Sequence, residues 1–159
     1  MSHSYKAIVD WQRGTQSFAD NKYSRAHTWQ FDGGVTVTAS SAPNVLPPPM
    51  SREDAVDPEE ALVAAASACH MLFFLALAAR KGFTIDRYTD ASMGEMTKNE
   101  RGKFYVSKIT LRPVVAWSGA NRPSPADIDA LHHRAHEECY IANSIRAEVV
   151  IAPPTPTFV

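Results

Sequence analysis

Surplus charge is nearly absent from this chain of 159 residues, whose formal net charge is −1. Nothing in that balance points to a nucleic-acid or anionic-membrane partner recruited by bulk electrostatics. Cysteine is scarce as well: Cys69 and Cys139 stand alone, seventy positions apart. In a reducing compartment such a pair is more often catalytic, redox-active or inert than a permanent staple. The N-terminus has no basic segment leading into an apolar stretch, so no secretory signal is expected and a cytoplasmic setting is predicted. Internal repeats, low-complexity tracts and linker-like stretches are also missing. The length fits a single domain over residues 1–159, with enough apolar content to build a core.

Local signals supply the elements. Residues 4–12 alternate loosely and read as a strand. His27 to Phe31 and Val35 to Thr38 flank Asp32, Gly33 and Gly34, and an Asp-Gly turn between β-prone runs predicts a hairpin. From Ser40 to Val56 the chain carries Pro43, Pro47, Pro48 and Pro49, which remove backbone donors and break both helix and sheet; a loop laid over the surface, or over a partner, is expected there. Residues 83–98 and 103–117 form two β-prone runs around a turn at Asn99 to Gly102. Pro113, inside the second run, predicts an edge position or a bulge. Ser124, Pro125 and Asp127 start a second helix that runs to about Tyr140, with Ile128, Leu131, Ala135 and Cys139 on one face. Ser144 to Ala152 reads as a closing strand, and the proline-rich tail is expected to fray. Strands, helix, strands, helix, strand make an α+β chain rather than a βαβ repeat.

Between these lies the most distinctive segment. Asp57 offers an N-cap, Pro58 the first helical position and Glu60 a carboxylate reaching back. Arg80 and Lys81 suit the negative end of the dipole, and Gly82 a left-handed stop. Residues 61–79 hold no charge, so a helix over 57–82 is apolar all round and must be buried or lie in lipid. Its length approaches that of a membrane span. Its alanine content, with Ser67, Cys69 and His70 among amphipathic strands, favours a buried central helix instead. One small sheet cannot hide such a helix, which predicts a homodimer with the helix near the interface.

Cys69, in the middle of this helix, is the first candidate for chemistry, and Cys139 on the second helix is the other. Taken singly, each reads as a small buried hydrophobe. One on each helix, they pair as an attacking and a resolving thiol if the helices pack on one sheet. A buried thiol needs help to ionise, and a guanidinium is the natural remedy. Arg25 leads; Arg13, Arg52 and Arg146 remain open, each also readable as a solvated surface charge. Glu59 is a candidate to orient the guanidinium, or simply a first-turn carboxylate favouring the dipole. Glu59 and Cys69 are about 15 Å apart along a continuous helix, so the geometry predicts a site built across two subunits. His132 and His136 share a helix face, yet no acidic partner or paired-cysteine motif accompanies them, and no metal site is expected. His70 follows Cys69 but points roughly 100° away, so the two are not expected to pair.

Asp57 to Cys69 with its apolar continuation to Gly82, and Ala135 to Ser144 around the second cysteine, resemble the family of osmotically inducible protein C and organic hydroperoxide resistance proteins. The resemblance runs in order from the first strand to the last. It implies antiparallel sheets around a long central helix and a second helix, in an intertwined homodimer. It implies a thiol peroxidase that reduces organic hydroperoxides, with Cys69 as peroxidatic and Cys139 as resolving thiol. Glu59 matches the family's glutamate, and Arg25 best fits its activating arginine. The implied reductant is a dithiol, notably a lipoyl group on a protein; no cofactor or metal is implied. His70 stands where an aromatic residue commonly follows the first cysteine in the peroxidase branches. Leu72 to Leu75, with Val45 and Leu46, suggest a pocket for alkyl or fatty-acid hydroperoxides. The rival reading is a non-catalytic or redox-sensing thiol protein that keeps the fold and binds a small apolar ligand.

Overall fold

The computed structural model describes residues 3–158, and the chain divides into two compact units, one ending at Ala61 and the other beginning at Leu62. In the first unit, β1 (Ala7–Asp10), β2 (His27–Phe31) and β3 (Thr36–Ala39) form one antiparallel sheet in that order. The turn at Asp32 to Gly34 closes as its residues predict: the Gly34 amide donates to the Phe31 carbonyl at 3.0 Å, and the Phe31 amide to that of Val35 at 3.0 Å. The proline-bearing loop after β3 joins no named strand and is tied down locally instead. Ser40 donates its amide to the Val56 carbonyl at 3.0 Å, and its hydroxyl accepts from the Arg52 amide at 3.0 Å. The predicted cap then forms: Asp57 Oδ1 accepts from the Glu60 amide at 2.7 Å, and the Glu60 carboxylate reaches the Asp57 amide at 3.5 Å.

The helix that follows, α1 (Pro58–Arg80), ends as Gly82 requires. Gly82 adopts φ +75°, its amide bonds the Ala79 carbonyl at 3.0 Å, and the Phe83 amide bonds that of Ala78 at 3.1 Å. This paired closure satisfies carbonyls that the last turn leaves free.

Seven further elements complete the second unit: β4 (Thr84–Asp90), β5 (Met93–Lys98), β6 (Phe104–Leu111), β7 (Pro113–Ser118), α2 (Pro125–Glu138), β8 (Glu148–Ile151) and β9 (Thr155–Phe158). Each of the two long β-prone runs is thus two strands. The first pair splits at residues 91–92 and the second at Arg112, because the chain crosses from the sheet β4-β7-β9 to the sheet β5-β6-β8 and back. Pro113 is therefore not on an edge. It is the first residue of β7, the central strand of its sheet, where strand initiation tolerates a proline. The sheets are also not purely antiparallel, since β8 runs parallel to β6 and β9 parallel to β7. Nor does the tail fray: Thr155 to Phe158 pair with Val114 to Trp117 as an edge strand, a position that accepts Pro156.

Two apolar clusters hold α1 in this unit. Ala66 packs with Ile109, Leu111, Ala147 and Val149 over β6 and β8. Phe74 and Ala78 pack with Val115 and Trp117 of β7 and with Ile128, Leu131 and Ala135 of α2. Gly94 of β5 allows the close approach, because a Cβ there would lie 2.6 Å from Val63 Cγ2.

One protomer buries only part of this helix. Ala66, His70, Phe74 and Ala78 form one buried stripe, whereas Ala64, Ala65, Ala68, Leu72, Ala76 and Ala79 are exposed. Two three-stranded sheets and one short helix cover only one side of a 23-residue cylinder. By length and composition alone α1 could cross a membrane, but its buried stripe carries the core of two sheets, as a core helix does.

Candidate functional site

Cys69 sits mid-helix on α1, between the buried stripe and the exposed one, and is half-buried. It opens on a pocket of about 680 Å³ walled by Ala65, Ala68, Leu72, Phe73, Ala76 and Leu77 of α1 and by Tyr140 and Ile141 from beyond α2. The wall is mostly hydrocarbon; Arg80, Arg134 and Glu138 supply its charge. Arg134 is held at 3.0 Å by Glu137 and at 2.5 Å by Glu138. Of the expected lining, Leu72 and Phe73 face the pocket, whereas Phe74 turns into the core, where it is fully buried.

Cys139 is the C-cap of α2, the residue at which the backbone leaves the helix (φ −64°, ψ 109°). The exit is knitted tightly. Asn143 donates its side-chain amide to the carbonyls of Glu137 at 2.9 Å and Cys139 at 3.0 Å, and Ser144 Oγ donates to the Tyr140 carbonyl at 2.6 Å. The Ala142 amide donates to Cys139 Sγ at 3.4 Å. Tyr140 meets Phe73 edge-on, with ring centroids 5.1 Å apart, bridging the two helices beside the pocket. Asn143 is a site-shaping residue that motif reading did not single out. A side-chain amide three positions beyond the predicted helix end was the available signal.

Both cysteines are free, and they are near enough for Cys69 to perturb the Cys139 thiol. Burial, foremost, pushes the Cys139 thiol up, and the neighbouring Cys69 side chain pushes the same way, against the amides of Ala142 and Ile141. Cys139 is 1% exposed and keeps its proton, while Cys69 lines the pocket.

Arg25 and Glu59 lie in the first unit. The Arg25 guanidinium rests 3.8 Å above the Tyr23 ring and donates to the carbonyls of Tyr23 and Asn21 and, at 2.7 Å, to Asn21 Oδ1. Among the described residues no ion pair joins it to Glu59, which stands half-buried in the first turn of α1. Of the other arginines considered, Arg13 donates to the Gln16 carbonyl at 2.6 Å, and Arg52 grips Asp54 through a two-pronged pair at 2.8 and 2.6 Å.

His70 turns away from Cys69 and bonds His132 of α2, Nε2 to Nδ1 at 3.0 Å. Burial pushes both rings well down, to about 4. Among the described residues no group of three histidine, cysteine or acidic side chains converges to hold a metal ion.

The family model for OsmC-like proteins matches residues 51–153, a span holding both cysteines, Glu59 and the paired histidines. Among solved structures, an OsmC-like protein of unknown function from Vibrio cholerae O1 biovar eltor is 47% identical. That match covers 99% of this chain and 100% of the other, with a TM-score of 0.93. Two organic hydroperoxide resistance proteins share the fold at lower identity. The one from Bacillus subtilis is 20% identical, with a TM-score of 0.62 and 98% of both chains covered. The one from Legionella pneumophila is 16% identical, with a TM-score of 0.64 and 98% of both chains covered. No match was found among curated proteins.

Proposed function

The chain belongs to the OsmC-like protein family, and from that premise we propose that it is a thiol-dependent peroxidase reducing organic hydroperoxides to alcohols. The observation that carries this reading is a pair of neighbouring free cysteines, Cys69 on the wall of an apolar pocket and Cys139 buried at the end of α2. Cys69, which faces the pocket, is the attacking group. Its thiolate sulfur bonds the terminal oxygen of the hydroperoxide as the O–O bond breaks. The alkoxide leaves as the alcohol on taking a proton, and Cys69 becomes a sulfenic acid, oxidised by two electrons. Cys139 is the resolving group: its sulfur attacks Cys69, an S–S bond forms, the S–O bond breaks and water leaves. An external dithiol, a lipoyl group by family resemblance, returns both to thiols. The alanine, leucine and phenylalanine wall favours an alkyl or aryl peroxide over hydrogen peroxide.

The exposed apolar stripe of α1 supports a homodimer in which a second copy roofs the pocket and excludes water. Arg25 and Glu59 are assigned to activation of the attacking thiol by the family resemblance, and a cytoplasmic setting is part of the same proposal. The test is consumption of cumene hydroperoxide with dihydrolipoamide as reductant. Cys69→Ser should remove the activity, and Arg25→Gln should lower it; full activity in Cys69→Ser would end the reading.

A further inference from the structure

His70 and His132 take no part in the chemistry above, yet they are the most completely buried ionisable pair in the second unit, 1% and 4% exposed. Their ring planes lie 6° apart, and Phe74 stacks on His132 at 4.2 Å and on His70 at 6.4 Å. The outer nitrogens, His70 Nδ1 and His132 Nε2, find no partner among the described residues. The bond between the rings is therefore the main polar interaction each has in the core. In an N–H···N bond between neutral rings one must donate and the other accept, so the contact is directional in a way that apolar packing is not.

Its position matters more than its strength. His70 is the residue after Cys69 on α1, and His132 lies two turns before Cys139 on α2, about 10 Å along the axis. The bond thus ties α1, one residue from Cys69, to α2, the helix that ends at Cys139. Disulfide formation tolerates little error, since the Cα atoms must lie within about 4.4–6.8 Å. A small slide or rotation of one helix would take the sulfurs out of reach.

We propose that the buried His70–His132 hydrogen bond is a positioning device that holds α1 and α2 in the register required for Cys69 and Cys139 to join. It rests on the dithiol reading for its purpose, but its action is testable without any peroxide. The full-length protein is equilibrated with mixtures of oxidised and reduced dithiothreitol. The protein thiols give two electrons and two protons to the reagent's disulfide as the Cys69–Cys139 bond forms, and closure is read by thiol titration and mass spectrometry.

His70→Leu and His132→Leu should each lower the closure constant about tenfold or more, equivalent to about 30 mV in potential. In the double variant His70→Leu/His132→Leu no imidazole is left unpaired, so resistance to urea should recover, while closure stays impaired. That split separates positioning from mere core polarity. Wild-type closure in the double variant would overturn the proposal, because packing alone would then set the register. If the leucine variants do not fold, His70→Gln, whose amide reaches the Nε2 position, should close nearly as well as wild type, and the shorter His70→Asn should not. Equal closure by those two would equally overturn it. A wild-type protein that forms no Cys69–Cys139 disulfide would sink the positioning claim. One that closes the disulfide but consumes no hydroperoxide would sink the peroxidase reading and leave this one standing.

Discussion

Acidification from about pH 7.5 to about pH 4 should loosen the second unit through two side chains, His70 and His132. Burial is the main reason their rings resist protonation, moving both from 6.5 to about 4. For His70, His132 and His136 push the same way and Asp90 opposes; for His132, Asp129 and Asp90 oppose. An unfolded chain protonates these rings near pH 6.5. Between that value and about 4 the unfolded state binds more protons than the folded one, so stability falls as the pH falls. At about 1.4 kcal/mol per pH unit, each ring carries about 3 kcal/mol. A singly protonated pair keeps one N–H···N bond, so the total lies between about 3 and about 6 kcal/mol, a large share of the 5–15 kcal/mol typical of a domain. The assay is urea unfolding at constant ionic strength in steps from about pH 8 to about pH 4, followed by fluorescence of tryptophan, since Trp117 is fully buried in this core. Wild-type stability should be flat above about pH 7 and decline below about 6.5. In His70→Leu/His132→Leu most of that decline should vanish. Parallel pH profiles for the two proteins would refute the reasoning, as would a wild type that gains stability on acidification.

Other consequences are more local. Gly94→Ala should destabilise by about 1–3 kcal/mol, measured by urea midpoint, because its Cβ would sit 2.6 Å from Val63 Cγ2; adding Val63→Ala should return much of the loss. Cys139→Ser should still oxidise at Cys69, trapped as a sulfenic acid by a dione reagent, but form no disulfide and pass to sulfinic acid under excess peroxide. Leu72→Glu places a charge on the 63%-exposed centre of the apolar stripe and should shift a homodimer toward monomer in sedimentation; an unchanged dimer would show that the interface lies elsewhere. Asp90→Asn weakens an acceptor for Ser67 Oγ and the Arg112 amide, both at 2.6 Å, and should cost about 1–3 kcal/mol in the same unfolding assay.

What could be read from the sequence was whatever neighbouring residues decide among themselves. Asp57 with Glu60, Ser124 with Asp127 and Gly82 set helix ends through bonds spanning three to five positions, and Asp32 to Gly34 set a hairpin the same way. Pairing between distant strands was not legible. The chain changes sheets at Arg112, a choice made by β8 and β9 arriving from the far end of the sequence, so Pro113 fell in a sheet centre rather than at an edge. The candidate thiols were legible as residues, one on α1 and one where α2 ends, and the packing of α1 against α2 was not, since it is made by Phe74 and Ala78 with Ile128, Leu131 and Ala135. The histidine pair was not, because its partners are 62 positions apart and spacing alone places His132 with His136. The exposed side of α1 marks the same limit from the other direction: composition predicts what must be covered, but not how much of it one protomer covers by itself.

The central claim is that Cys69 and Cys139 act as one redox unit toward an organic peroxide. Its most direct measurement is intact-protein and peptide mass spectrometry of the reduced chain after one equivalent of cumene hydroperoxide, without added reductant. The account predicts rapid loss of both thiols, a mass lower by two hydrogens, and a peptide linking Cys69 to Cys139. Thiols that persist, or a product oxidised at one cysteine with no Cys69–Cys139 link, would contradict it.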